Sequence, residues 1–142
     1  MKPFQIVLDT NVLISGLRSK RGAANALLQR LNDPRLKLHV SNALLLEYEE
    51  LLRREQARLG LADVDVESLL DGFCTIGVQH YVSFVWRPTA RDADDDFLVD
   101  LAVAAHADFV VTFNVRDLQP IEKYGIKVVT PQQILEILRD VK

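Results

Sequence analysis

The sequence has few of the residues that mark special classes of protein. Its only cysteine is Cys74, so no internal disulfide can form; this fits a reducing compartment, and a buried inert thiol is the simplest interpretation. Only 5 Pro and 6 Gly occur among 142 residues, and no repeat or low-complexity segment is visible. Fibrous and disordered classes are therefore excluded, and the length suits a single domain over 1–142.

Long hydrophobic runs and an excess of positive charge are also missing. No apolar run approaches the roughly 20 residues needed to cross a bilayer. The apolar stretch before Asp9 is too short for a signal-peptide core, so we expect a cytoplasmic protein with no membrane association. The net charge of -3 argues against binding nucleic acid by bulk electrostatics alone. An acidic site neutralised by bound cations is compatible with that charge.

The chain does contain a regular alternation of short strands and helices. Apolar and β-branched segments predict strands at 4–8, 36–40, 78–85, 109–112 and 127–129. Helical spacing predicts helices at 12–17, 23–31, 43–58, 63–74, 97–107 and 131–141, with a short helix near 118–123 and a polar loop at 87–96. This alternation predicts a three-layer α/β/α sandwich on a mainly parallel sheet.

Acidic and polar residues follow the predicted strands. Asp9 ends the first strand, and Asn114 and Asp117 follow the strand that ends at Thr112. Active sites of open parallel sheets lie beyond the carboxyl ends of the strands, near the reversal of strand order. We therefore expect these side chains to gather at one edge of the sheet.

Two further acids are expected at the same edge. Asp96 begins the helix that leads into the strand ending at Thr112, and Glu47 lies one turn into the helix after the second strand. Clustered carboxylates repel one another unless a cation offsets the repulsion. Hard cations such as Mg²⁺ or Mn²⁺ prefer oxygen ligands.

No Cys or His cluster with zinc spacing is present in the sequence. The histidines are scattered, and each is interpreted as a structural or surface residue: His39, His80 and His106.

The segment from Ile6 through Asp9, Thr10 and Asn11 to Ile14 resembles the opening strand and helix of PIN-domain nucleases. A second match is similar to the family's later signature and consists of Asp94-Asp95-Asp96, a small-residue helix over 102–105, Val110-Val111-Thr112, Asn114 and Asp117-Leu118. Glu47 corresponds to the family's midchain glutamate. The resemblance covers almost the whole chain in the expected order and implies a PIN-like fold.

The resemblance also implies a metal site. Its ligands would be Asp9, Glu47 and Asp96, with Asn114 at a position where many members carry a fourth acid. Together they would hold one or two ions, which in the two-metal scheme lie roughly 3.5–4 Å apart and serve hydrolysis of RNA. An amide in place of that acid predicts weaker metal affinity.

Two more acids are candidates for the site. Asp100, four residues after Asp96 on the same helix, could act through a water molecule or be a surface acid. Asp117 could substitute for the acid missing at Asn114, or cap the short helix that follows.

Asn11 and Thr112 are expected to orient the acids, with ordinary turn or cap roles as the alternative. Basic residues that could hold RNA phosphates, or be ordinary solvated charges, are Arg18, Lys20, Arg21, Arg87, Arg91 and Arg116. Asp94 and Asp95 are expected to cap their helix rather than bind metal.

This chain resembles the small VapC-like PIN proteins that are toxins of toxin–antitoxin pairs. The resemblance implies that it has an antitoxin partner and forms a homodimer. Two alternatives stay open. One is a degenerate PIN-like module that binds RNA or protein, which Asn114 alone favours. The other is a phosphatase with Asp9 as nucleophile, but Asn11 stands where that superfamily has a second Asp, and no lysine motif follows.

Overall fold

A parallel β-sheet lies at the centre of the computed structural model, which describes residues 2–81 and 93–141 and, for 93–96, the backbone alone. Its strands within these residues are β1 Phe4–Leu8, β2 Leu36–Ser41, β3 Val78–His80, β4 Phe109–Val111 and β5 Lys127–Val129. The strand order is β3-β2-β1-β4-β5, and each neighbouring pair is parallel. The predicted parallel sheet is confirmed.

The central strands owe their position to apolar residues on both faces. Ile6, Val7 and Leu8 of β1 are almost completely buried, as are Val110 and Val111 of β4. Strands covered on both faces read as continuous hydrophobic runs, whereas half-exposed strands alternate. Both strands could therefore be predicted from their continuous hydrophobic runs.

Helices cover the two faces of the sheet. They are α1 Thr10–Arg18, α2 Ala23–Leu28, α3 Asn42–Leu59, α4 Asp63–Ile76, α5 Ala93–Ala104, α6 Val115–Leu118 and α7 Pro131–Asp140. One layer contains α1, α2, α3, α4 and α7: α1 contacts α2 and α3, α2 also contacts α7, and α3 also contacts α4. α5 contacts β1 and β2, and the right-handed rule for connections between parallel strands puts it on the face opposite that layer. The predicted three-layer α/β/α sandwich is confirmed.

Several helix boundaries differ from the sequence prediction. α1 begins two residues early because Asp9 is its N-cap, and the carbonyl of Asp9 accepts a hydrogen bond from the Val12 amide at 3.1 Å. α5 begins at Ala93, so the loop predicted over 87–96 is wrong from residue 93 onward, and Asp96 lies within the first turn of α5 instead of beginning it. Acidic residues are favourable in a first helical turn. The rest of that loop and the strand predicted beyond Tyr81 lie outside the described residues.

Two further helix boundaries also differ from the sequence prediction. α2 ends at Leu28, three residues before the prediction. The short helix predicted near 118–123 is α6 followed by a 3₁₀ helix, Gln119–Tyr124. Pro120 explains the change of geometry, because proline has no amide hydrogen for an α-helical bond. Within the described ranges, no helix has both the length and the apolar character needed to cross a membrane.

Two of the three histidines are in contact, so the prediction that all are scattered is wrong. Nδ1 of His39 on β2 lies 2.8 Å from Nε2 of His80 on β3. Nε2 of His39 contacts Oε1 of Gln5, and the side-chain amide of Gln5 donates to the carbonyl of Pro3 at 3.2 Å. Sequence spacing gave no sign of this contact because it joins separate strands.

Candidate active site

The candidate site lies where the strand order reverses, between β1 and β4. Asp9 directly follows β1 and Thr112 directly follows β4. The Asp9 amide donates to the Val111 carbonyl at 2.9 Å, and the Thr112 amide donates to the Val129 carbonyl at 2.9 Å. The sheet thus brings both residues to its carboxyl edge, where ligands bind in doubly wound folds.

Asp9 is 7% exposed, and its carboxylate accepts several hydrogen bonds. Oδ2 accepts from Thr112 Oγ1 at 2.7 Å and from Asn11 Nδ2 at 3.4 Å. Oδ1 accepts from Thr10 Oγ1 at 3.3 Å. Burial raises the pKa of Asp9, while the bond from Thr112 opposes the rise most strongly. A buried acid with a perturbed pKa at a ligand-binding edge is typical of a functional site.

Thr112 and Asn11 form a network around this acid. Besides donating to Asp9, Thr112 Oγ1 accepts from the Asn114 amide at 2.9 Å. Asn11 Nδ2 lies 3.4 Å from the same oxygen, and Asn11 Oδ1 accepts from the Phe113 amide at 3.3 Å. The two residues expected to orient the acids therefore contact Asp9 and the chain that follows β4.

Glu47 lies on α3, directly before Tyr48, which was not predicted as a site residue. The Tyr48 hydroxyl is buried and donates to the carbonyl of Leu8, immediately before Asp9. Burial raises the pKa of Tyr48 well above its usual value, and the charges of Asp9 and Glu47 raise it further. Glu47 directly precedes Tyr48 on α3, and the Tyr48 hydroxyl contacts the carbonyl just before Asp9.

A signal for Tyr48 was present in the sequence. The helical spacing of Leu44, Tyr48 and Leu52 predicts a buried face, and all three side chains are buried. A tyrosine on such a face needs a hydrogen-bond partner for its hydroxyl. The sequence could not show that the partner is the end of β1.

The structure describes the remaining predicted ligands to different extents. The side chain of Asp96 lies outside those the structure describes, although its backbone is in α5. Asp100 is partly buried on α5. Asn114 is exposed and is the N-cap of α6, and Asp117 within α6 donates its amide to the Asn114 carbonyl at 3.1 Å.

The predicted basic residues fall into two groups. Arg116 is exposed on α6, close in sequence to Asn114. Arg18 ends α1; at 1.5 Å of rise per residue it lies roughly 13 Å along the helix from Asp9. Lys20 and Arg21 follow it, so the structure places these three away from the Asp9 end. Arg87 and Arg91 lie outside the described residues.

The donor atoms fit a hard divalent cation. Asp9, Glu47 and Asn114 offer oxygen ligands, which suit Mg²⁺ or Mn²⁺ better than a zinc-type site. Among the side chains that the structure describes, which leave out Asp96, no group of three His, Cys, Asp or Glu residues is close enough to hold a metal ion. The fit therefore rests on the buried Asp9 carboxylate and the oxygen chemistry of its neighbours.

Comparison with solved structures supports the fold. The protein is similar to a chain in the crystal structure of VapBC2 from Rickettsia felis bound to a DNA fragment from their promoter. The two chains are 15% identical, the match covers 88% of this chain and 97% of that one, and the TM-score is 0.60. At this identity, the likeness shows the fold alone. No curated protein matches the sequence.

A family model gives the more specific result. The model described as PIN domain matches residues 5–116. The match includes Asp9 and Glu47, the strand β4, Thr112 and Asn114. It spans most of the sequence and agrees with the fold, so this chain belongs to the PIN domain family.

Proposed function

We propose that the protein is a ribonuclease that hydrolyses RNA phosphodiester bonds with Mg²⁺ or Mn²⁺ held by Asp9, Glu47, Asp96 and Asn114. The observation that carries the proposal is the buried Asp9 carboxylate at the carboxyl edge of the sheet, bonded to Thr112 at 2.7 Å. Membership of a family whose members are generally nucleases supports the same conclusion. The oxygen atoms of the four proposed ligands also suit a hard cation.

Each residue has a role that its position supports. A bound cation would activate a water molecule and stabilise the leaving oxygen. Thr112 and Asn11 hold the Asp9 carboxylate in one orientation, so little reorganisation is needed when a cation binds. Asn114 contributes an oxygen without charge, which lowers the total negative charge of the site and weakens its hold on the cation.

Arg116 is the basic residue best placed to contact the RNA backbone. It is exposed on α6, the helix for which Asn114 is the N-cap. Phosphate contacts from arginine position a nucleic acid without reading its sequence. Asp100 and Asp117 complete the set as supporting acids, Asp100 through a water molecule.

We further propose that the protein is the toxin of a toxin–antitoxin pair and forms a homodimer. Support comes from the resemblance to VapC-like toxins and from the shared fold with a chain of the VapBC2 complex. Light scattering after size exclusion should give twice the 16.1 kDa of one chain. Co-expression with the product of an adjacent gene should give a stable complex that no longer cleaves RNA.

The test is RNA cleavage by the purified protein with Mg²⁺, with Mn²⁺ and with EDTA. Asp9→Asn and Glu47→Gln should abolish cleavage, and EDTA should do the same. Asp71→Asn is the matched control, because Asp71 is an exposed acid on α4 and its substitution should leave cleavage unchanged.

Intact RNA with either metal and a folded protein would overturn the nuclease proposal. RNA binding without cleavage would then favour the degenerate binding module, for which Asn114 is the supporting observation. A phosphatase would differ from both by forming a phosphoenzyme at Asp9.

A further inference from the structure

Phe113 is an exposed aromatic residue in the segment that follows β4, and its backbone contacts the candidate site. It is 47% exposed and lies between Thr112 and Asn114. The other exposed large hydrophobic residues among those described are Leu46, Val64, Tyr81 and Tyr124. Phe113 alone of these five belongs to the segment that contacts Asp9.

The backbone beneath Phe113 is anchored to the network around Asp9. The Phe113 amide donates to Asn11 Oδ1 at 3.3 Å, and Asn11 Nδ2 lies 3.4 Å from Asp9 Oδ2. On either side, Thr112 Oγ1 donates to Asp9 at 2.7 Å and accepts from the Asn114 amide at 2.9 Å. The ring is therefore carried by a fixed backbone one residue, about 3.8 Å between Cα atoms, from Thr112.

The fold does not explain why this residue is aromatic. The bond to Asn11 uses the backbone amide of Phe113, so a polar side chain would permit the same bond. Phe113 is 47% exposed and belongs neither to the described core cluster nor to the partly buried residues packed against it. An aromatic side chain at this position would be explained by a ligand that needs a flat apolar surface beside the acidic site.

An unpaired nucleotide base has that chemistry. Bases stack on exposed aromatic rings in single-stranded RNA recognition, whereas a duplex keeps its base faces covered. Arg116, three residues after Phe113 and exposed, can meet the adjoining phosphate. We propose that Phe113 stacks on one unpaired base of the substrate, next to the scissile phosphate. This inference rests on the proposed function.

The test compares four variants by RNA binding and by cleavage. Phe113→Ala removes the ring, Phe113→Leu keeps an apolar side chain without a flat face, and Phe113→Trp keeps the stacking surface. Tyr124→Ala is the matched control: Tyr124 is 44% exposed and lies with Ile126 and Asp108 at the opposite, amino-terminal end of β4. Binding of a labelled RNA oligonucleotide is measured by anisotropy with Ca²⁺ in place of Mg²⁺, and kcat and KM are measured with Mg²⁺.

Phe113→Ala should raise the Kd and KM for single-stranded RNA by about 5-fold to 150-fold, the range for losing one stacked base, with kcat little changed. Phe113→Leu should resemble it, while Phe113→Trp and Tyr124→Ala should resemble the parent protein. An abasic nucleotide beside the cleaved bond should weaken binding to the parent and not to Phe113→Ala. A fully paired duplex should bind the parent poorly.

Equal affinity of Phe113→Ala and the parent would overturn the inference, and so would parent-like behaviour of Phe113→Leu or equal binding of duplex and single strand. If the parent cleaves RNA and Phe113→Ala is unchanged, the stacking inference fails and the nuclease proposal stands. If the parent binds RNA through Phe113 without cleaving it, the nuclease proposal fails, and of the inference only base stacking by Phe113 remains. Absence of both binding and cleavage overturns both.

Discussion

The hydroxyl of Thr112 donates a hydrogen bond of 2.7 Å to Oδ2 of Asp9 across 103 residues of sequence. The Thr112 hydroxyl has one hydrogen to donate and two lone pairs, and its oxygen accepts from the Asn114 amide at 2.9 Å and from Asn11 Nδ2 at 3.4 Å. The direction of the bond is therefore fixed toward Asp9. Both residues are buried, so the bond forms away from bulk water.

Thr112→Val removes this hydroxyl with little change in side-chain shape. Buried groups that lose a hydrogen-bond partner cost about 1–3 kcal/mol, so the free energy of unfolding should fall by that order. The pKa of Asp9 should rise further, because the bond from Thr112 holds it down. Urea unfolding measures the change in stability. Mg²⁺ titration at several pH values measures the change in the pKa of Asp9, because a protonated carboxyl binds the cation poorly. Thr112→Ser is the control that keeps the hydroxyl, and equal stability and metal affinity of the Val variant would contradict the prediction.

Asp9→Asn should stabilise the protein at neutral pH when no metal is present. Burial raises the pKa of Asp9 above its ordinary value of 3.8, so the unfolded state loses this proton at lower pH than the folded state. The contribution of Asp9 to stability then falls as pH rises through its folded pKa. An uncharged Asn avoids that loss.

The measurement is the thermal midpoint in EDTA and in Mg²⁺ at several pH values. In EDTA the Asn variant should melt above the parent at pH 7, and the gap should narrow as pH is lowered. Mg²⁺ should raise the midpoint of the parent alone, since only the parent offers the charged ligand. A parent that is more stable than the variant in EDTA at pH 7 would show that burial of the charge is not costly.

Tyr48→Phe removes the hydroxyl that donates to the carbonyl of Leu8. Because that carbonyl is left in a buried position, we expect a loss of about 1–3 kcal/mol in the free energy of unfolding. Tyr81→Phe is the matched control, since Tyr81 is 84% exposed. Urea denaturation compares the two variants, and an equal effect of both would rule out a specific role for the Tyr48 bond.

Stability should fall on mild acidification because of His39. Burial lowers the pKa of His39, and His80 and Lys37 lower it further. Below about pH 6.5 the unfolded state takes up this proton before the folded state does. The loss should begin as pH drops through that value and level off below the folded pKa. Protonation also places a hydrogen on each ring nitrogen of His39, which removes the acceptor for a hydrogen bond from His80.

Urea unfolding between pH 7.5 and pH 5, two values chosen around the ordinary histidine pKa of about 6.5, measures this dependence. His39→Gln should flatten the curve. His106→Asn is the control, because His106 is exposed with φ 50, a backbone conformation that asparagine tolerates. An unchanged pH profile in His39→Gln would assign the dependence to other groups.

Much of the site was predictable because its parts carry local signals. The continuous apolar run of β1 followed by Asp9 predicted both the strand and the acid at its end, whereas Glu47 as a site residue stays a prediction that rests on the family resemblance. Asn11 and Thr112 were expected as orienting residues, and the structure places both within hydrogen-bond distance of Asp9. Arg18 was considered as a contact for RNA, but α1 carries it away from the edge where Asp9 lies, as a helix predicted directly after Asp9 already implied.

The sequence by itself determined the parallel α/β/α architecture and the PIN domain motifs, since hydrophobic periodicity and motif order are properties of the chain. Only the tertiary structure decided which side chains meet: Thr112 with Asp9, Tyr48 with the end of β1, and His39 with His80. Each of these contacts joins different strands or helices, and their distances depend on strand order and register. Those are set by packing of the whole core, which no local pattern records.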